Sequence, residues 1–383
     1  MYDVIIVGRS FAGILTALTL KKHLPQLNIC MIDQAAANTV ICDQRATALS
    51  PSSIILLNEL NIWQDLAPLS APIYEIHIGM TPIKLAPLVF KQDHQILGYN
   101  ILNHHLRSLL NQNLNHINID AHTGSAIKDI QLHTSFATVT LDNNTQIQAR
   151  LVIGADGRTS GVRRLLSTTR TIDHHQTAFT GTIHHTTPHN NRAFEFFIPQ
   201  GPLAFIPLED LNTSTFVWSL KNQLLPITSL EDTLSKLMHP HLGNIQCTQP
   251  VQQYPLKTFT ASPRAGHRWV LVGDAANAIH PVAGQGLNLA IRDIQNLAHH
   301  LSQQHLLGLD IGSLTHLSQY GRARQIDRYS LLSITHIAAQ WLPAPHKTLS
   351  LFLEKGMKYL NRSTIFSDFL VNTAQFGVPT LSK

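Results

Sequence analysis

Charge is scarce in this chain: Asp, Glu, Lys and Arg make up 13% of its 383 residues, and the formal net charge is only +5. A surface so thinly charged excludes a nucleic-acid footprint, although the small positive excess favours an anionic ligand or a membrane surface. Cysteine is nearly absent. Cys30, Cys42 and Cys247 form neither a disulfide framework nor a zinc-ligand spacing, which fits a reducing compartment. No apolar run reaches the roughly 18 residues that argue for a membrane-spanning helix. Low-complexity tracts and internal repeats are missing too. The first residues carry Asp3 where a secretory leader would be basic, so the expectation is a cytoplasmic protein, at most peripheral to a membrane. Self-association is left open.

Histidine, by contrast, is plentiful, with 23 copies and pairs at 104–105, 174–175, 184–185 and 299–300. The pairs do not form an H-E-x-x-H pattern or a mixed His/Cys ligand set, so no metal is expected and compositional drift explains them better.

The length is too great for one ordinary core. Val4–Val7 reads as a strand buried on both faces, Ile14–Leu24 as a helix closed by Pro25, and Asn28–Asp33 as a second strand, together a βαβ unit. Residues 51–66 and 104–114 have helical periodicity. Short strands punctuated by prolines fill 71–90, and strand texture returns from 172 to 220. Two further buried-strand runs end in glycine, at Leu151–Gly154 and Trp269–Gly273, and helices finish the chain from about Leu287.

Three loops carry chemistry. Gly8-Arg9-Ser10-Phe11-Ala12-Gly13 lies between strand and helix, where a dinucleotide pyrophosphate rests on a helix N-terminus. Gly8 permits the turn, and Gly13 permits close packing of helix on strand. Ser10 replaces the second glycine of the fingerprint. Asp33 follows Gly13 by about twenty residues, the distance at which a carboxylate meets the adenosine ribose. The second loop runs from Gly154 through Asp156, Gly157 and Arg158 to Arg164. In the third, Gly273-Asp274 leads through His280-Pro281 to Gly284-Gln285-Gly286-Leu287-Asn288 and into an apolar helix. Asp274 is placed to bond a ribityl chain there. The amides from Gly286 to Asn288, at the positive end of a helix dipole, favour an anionic reduced isoalloxazine.

These loops resemble the GxGxxG, DG and GD motifs of class A flavoprotein monooxygenases. The string from His280 to Leu289, together with Asp43-x-Arg45-x-x-Ala48-Leu49-Ser50 and Gly201-Pro202-Leu203-Ala204, is similar to segments of the ubiquinone-biosynthesis hydroxylases. The similarity runs essentially from end to end. It implies an α/β fold of the para-hydroxybenzoate hydroxylase type: a discontinuous Rossmann-like FAD-binding domain (1–71, 96–170, 265–325), an inserted strand-rich substrate domain (72–95, 171–264) and a C-terminal helical region (326–383). It also implies FAD as cofactor, NAD(P)H as co-substrate, and O2 with a polyprenylated phenol as substrates. Arg45 and Asn103 would contact FAD, Asp156 would serve flavin and nicotinamide cofactor, and Pro281 would border the hydroxylation site. His280 would orient the loop or polarise a phenol, loop packing being the commoner role. Phe194, Phe196, Phe205 and Trp218 are candidates for the pocket wall.

Two alternatives stand beside this one: hydroxylation of another small aromatic, for which no partner of a substrate carboxylate is evident, and a non-catalytic flavin-binding subunit of a quinone-biosynthesis complex. Residues 346–362 place Lys355, Lys358 and Arg362 opposite an apolar face. They suit a membrane-surface or partner helix, though core packing is commoner.

Overall fold

A computed structural model describes residues 1–36, 39, 43–80, 88–91, 95–224 and 229–341. The stretch 346–362, with its basic face, lies outside them.

The βαβ unit forms as expected: strand Tyr2–Val7, helix Phe11–His23, strand Ile29–Asp33. The two strands pair in parallel, and the first also pairs in parallel with Gln146–Gly154, which continues to Trp269–Leu271. These β-branched runs have both faces covered, which is why they read as continuous apolar stretches instead of alternating ones. Val4, Ile6, Leu151, Ile153 and Val270 pack under the helix Phe11–His23, while Ile5, Val152 and Leu271 fill the other face. Helices Asn103–Asn115 and Gly286–Leu306 cover the first helix in turn, so it is buried from Gly13 to Leu20.

Antiparallel strands build a second sheet in which Thr168–His185 pairs with both Thr213–Lys221 and Gln252–Ser262, and Gly201–Pro207 and Arg192–Ile198 extend it. Glu75–Gly79 then joins in parallel to Arg192–Ile198 and carries Leu88–Lys91 at the edge. Asn277–Ala278, in a segment expected to serve the nucleotide unit, pairs instead with Phe259 and Thr260 of this sheet, so the loop beyond Asp274 is stitched to it. Ala46–Leu49, Gly98–Leu102 and Ser70–Ile73 form a small third sheet, with Gly98–Leu102 in the middle.

One expected helix is corrected. Residues 51–66 form Pro51–Glu59 and a separate turn Trp63–Leu66, because Asn61 adopts φ +58° and ends the first helix in the left-handed region that Asn tolerates. The spacing of Leu57, Leu60 and Trp63 survived the break, which is why periodicity alone did not reveal it.

Candidate active site

The first loop is built by close approach. Gly8 has φ +106°, and a Cβ there would stand 2.4 Å from the carbonyl oxygen of Ala155; a Cβ on Gly13 would stand 1.9 Å from the carbonyl oxygen of Gly8. Both glycines therefore press backbone against backbone and lie behind the cavity described below, not on its wall. Asp33 is also tied inward: its carboxylate accepts from the amides of Arg9 and Ala35, holding the loop against the second strand. Ser10, Phe11 and Ala12 do face the cavity. They present the first turn of a helix, whose amides have no intrahelical acceptor.

Asp43, Arg45 and Asn103 form one cluster. The Arg45 guanidinium donates to both oxygens of Asp43 at 2.8 Å, and Asn103 Nδ2 donates to Asp43 at 2.9 Å while its Oδ1 accepts from Thr47. Burial pushes the Asp43 carboxyl up, but the bonds from Arg45 and Asn103 outweigh it and hold the group below its usual range. Arg45 stays half exposed over the Tyr254 ring. Arg107, which the sequence reading missed, reaches the Ser10 hydroxyl and lies over the Phe11 ring. It stands four residues after Asn103 on one helix, so the two share a face; that spacing was the available signal.

Asp156 does not face the cavity. It accepts from the Ser160 hydroxyl and the amides of Gly161 and Val162, capping the helix Gly161–Leu166. Arg163, on that helix, donates to the carbonyl oxygen of Ala275 at 2.9 Å and covers the Phe259 ring, fastening the second loop to the third. Gly157 and Arg158 reach the cavity from this side.

The third loop supplies most of the open wall. Gly273 has φ +59°, and a Cβ on it would press on Ala12, so the first and third loops meet there. The Asp274 carboxylate lies partly exposed at the cavity, and among the described residues no hydrogen bond reaches it; desolvation pushes its carboxyl up against the pull of Arg158, Arg45 and Arg163. Pro281, Gly284, Gly286 and Leu287 line the same space, and a Cβ on Gly286 would meet nothing within 4 Å. Asn288 acts through its side chain differently: Oδ1 accepts from the Ser50 amide and the Ser53 hydroxyl, and Nδ2 donates to Ala48. It anchors the start of the long helix to the Ala46–Ser50 segment. His280 is buried, with one ring nitrogen 3.0 Å from Gln176 Oε1 and the other accepting from the Val282 amide. Those bonds hold the ring within the loop.

The cavity encloses about 890 Å3 and is bounded on its far side by the antiparallel sheet. Strand alternation decides which residues it meets. Ala178, Thr180, Val217, Ser219, Ala204 and Ile206 point into it. The intervening Phe179, Phe216, Trp218, Phe205 and Phe196 point away, into a core shared with the helix Leu230–Leu242. The expected aromatic wall is thereby corrected: only Phe194 of the four reaches the cavity. Large aromatic rings went to the face that needed filling; small side chains were left where room is kept. On the cavity face stands one carboxyl, Glu195, which sequence reasoning passed over. Its signal was a lone acid inside the apolar run Ala193–Ile198.

The FAD-binding domain family matches residues 1–322. The chain belongs to that family. With its motifs, this makes it an FAD-dependent monooxygenase of class A. It is 32% identical over 346 residues to ubiquinone hydroxylase UbiL of Rhodospirillum rubrum, covering 87% of this chain and 80% of the relative. It is 24% identical to the mitochondrial ubiquinone biosynthesis monooxygenase COQ6 of Homo sapiens, over 94% and 90% of the two chains. In fold it is similar to p-nitrophenol 4-monooxygenase PnpA from Pseudomonas putida, with a TM-score of 0.81, 16% identity, and 97% and 96% coverage.

The residues present in this monooxygenase fit FAD. A cavity-facing carboxylate without a protein donor (Asp274), an open cradle at Gly286, and the buried, unpartnered Nε of Arg107 and Oε1 of Gln285 face or flank one space. Among the described residues no group of three or more His, Cys, Asp or Glu could hold a metal, and no helix is long and apolar enough to cross a membrane.

Proposed function

We propose that this protein hydroxylates the aromatic ring of a polyprenylated phenol in ubiquinone biosynthesis, using NAD(P)H and O2. The observation that carries the reading is a cavity in which the glycine-rich third loop meets a wall of small apolar side chains. The names of the relatives, ubiquinone hydroxylase and ubiquinone biosynthesis monooxygenase, support the substrate class. A wall of Ala178, Ala204, Ile206 and Val217 suits a ring with an apolar tail.

FAD, when bound, would supply the redox chemistry by which nicotinamide cofactor and O2 place one oxygen atom on the ring. The chain's own part is to hold and to exclude. The first turn of the helix Phe11–His23 and Arg107 would face the pyrophosphate, and Asp274 would accept from the ribityl hydroxyls. Arg45 and Asn103 would flank the cofactor, with Asp43 fixing both. The amides from Gly286 to Asn288 would place positive helix-dipole charge beside the isoalloxazine and favour its reduced form. Asp33 and Asp156 would act by shaping the loops that hold the cofactor: one braces the first loop, the other caps the helix behind the second. Pro281 would border the reacting ring, on a loop that His280 holds to Gln176. The apolar wall would keep water from the reacting oxygen.

A prenyl tail must be drawn from a membrane or a lipid-carrying partner, so a peripheral membrane or complex contact belongs to this reading. The test is direct. The FAD-loaded protein is given NAD(P)H, O2 and a short-tailed 2-prenylphenol, and the products are weighed. A product one oxygen heavier, formed with cofactor oxidation, is expected; cofactor oxidation indifferent to every phenol would overturn the proposal.

A further inference from the structure

Glu195 sits at the centre of the strand Arg192–Ile198, paired across to Ala204 on one side and Ile78 on the other. Those neighbours, with Ile76, Pro202 and Ile206 diagonally placed, line the cavity and carry no charge. The titratable His77 of the adjacent strand lies between Ile76 and Ile78, which line the cavity, so alternation turns it to the opposite face, where Glu75 holds it. Other ionisable groups on the cavity wall are engaged elsewhere: Asp43 with Arg45, Arg292 with Asp327, His280 with Gln176, Arg107 with Ser10, Arg158 with the carbonyl of Lys257, Tyr254 with Gln252. Asp274 shares the cavity from the third loop. Among the described residues neither a cation nor a hydrogen-bond donor pairs with Glu195, and burial alone pushes its carboxyl up to about 8.

Position completes the case. Phe197, two residues further along the same face, packs on Val282, the residue after Pro281. One pleat repeat, roughly 7 Å, therefore separates Glu195 from a residue in contact with the loop that borders the reacting ring. A lone carboxyl in an apolar wall costs stability, and such a group is found where a ligand uses it.

We propose that Glu195 is a catalytic residue of this hydroxylase: its carboxylate binds the phenol hydroxyl and takes the proton as oxygen is transferred. The inference rests on the hydroxylase reading above. The phenol O–H bond breaks, a carboxyl O–H bond forms, and the electron pair left on the phenol oxygen is shared with the ortho and para carbons, which attack the electrophilic oxygen that FAD and O2 supply. Transfer leaves a keto group at the former phenol carbon and a hydrogen on the carbon that gained the hydroxyl. That hydrogen leaves as a proton to water, Glu195 returns its proton to the keto oxygen, and the ring is aromatic again. The basicity is suited to the task. A free phenol ionises near pH ~10, so an ordinary carboxylate is a poor base for it, while one near 8 is far closer. The direction with pH follows: below about 8 the group is protonated and cannot accept.

The experiment compares FAD-loaded wild type with Glu195→Gln, which keeps the shape. Hydroxylation of the short-tailed prenylphenol by wild type should rise with pH towards a limb near 8. In E195Q it should fall by roughly 10²–10⁴-fold and lose that limb, with FAD content unchanged. The deficit should shrink for a more acidic ring-substituted phenol that is already ionised. A second readout needs no turnover: an infrared carboxylic-acid band that titrates near 8, moves when phenol binds and is missing from E195Q. Equal rates and pH profiles in the two proteins overturn the assignment of Glu195 alone. Wild type that shifts the band with phenol but never hydroxylates upholds the contact and overturns the hydroxylase reading. No shift and no product overturns both.

Discussion

The loops at the end of the parallel sheet and the inner face of the antiparallel sheet meet at one cavity but are made in opposite ways. The loops work mainly through backbone. Gly8 and Gly13 allow main-chain contact at distances no side chain permits, and Asp33 and Asp156 spend their carboxylates on amides of the loops themselves. The sheet face works through side chains, and its shape comes from which of two alternating sets points inward. Motifs are therefore informative about the first region and nearly silent about the second, where a single-residue register shift would exchange Phe205 for Ala204 and close the cavity.

Substitutions can test that contrast, beginning with the largest effect. Gly13→Val should abolish folding or FAD uptake, since even a Cβ there falls 1.9 Å from a carbonyl oxygen. Gly286→Ala, with open space at its Cβ, should leave the thermal midpoint of the apoprotein nearly unchanged while weakening FAD binding. Thermal unfolding with and without FAD checks both; equal losses of apoprotein stability would erase the distinction between packing and cradle glycines.

Next comes Asp274→Ala. Loss of a charge-assisted hydrogen bond to the ribityl chain, on the order of 1.5–3 kcal/mol, should lower FAD affinity roughly ten- to a hundredfold. Apoprotein stability should hold or improve, because no described donor satisfies that carboxylate now. FAD titration followed by flavin fluorescence measures the change, and an unaltered affinity would remove Asp274 from the cofactor site.

Asp156→Ala should behave in the reverse way. It leaves the Ser160 cap but strips the acceptor from the Gly161 and Val162 amides, and should cost about 1–2 kcal/mol of stability even without FAD. A stable apoprotein with poor FAD affinity would instead put Asp156 in direct contact with the cofactor.

The smallest effect is expected on the sheet face. Glu195→Leu should raise the thermal midpoint by a few degrees, at about 1–2 °C per kcal/mol for a chain of this length. The folded state raises this carboxyl from 4.5 to about 8, so it favours the protonated form. Its contribution to stability is full below the unfolded value and is lost as pH rises through that window. The gain from E195L should therefore be larger at high pH than at low. A gain independent of pH would mean the carboxyl is hydrated and pays no burial cost.

What was legible depended on whether an interaction is local. The βαβ unit and the three loops could be anticipated because each loop's residues are neighbours in the chain or in a recognisable motif, whereas the contact of Asn103 with Asp43 spans sixty residues and was not. Asp33 and Asp156 bond amides of their own loops, contacts the sequence did not reveal, since a carboxylate near a phosphate loop and one that braces the loop look alike in sequence. The break at Asn61 was hidden by apolar spacing that continued through it.

By itself the sequence determined the family, the cofactor and the first βαβ unit, because glycine-rich turns and buried β-branched runs impose local geometry wherever they occur. Only the tertiary structure decided which face of Arg192–Ile198 and its neighbours looks into the cavity. Alternation offers two equivalent faces, and the choice was made by the helix Leu230–Leu242, whose Leu234, Met238 and Leu242 drew the aromatic set to themselves and left Glu195 facing the open side.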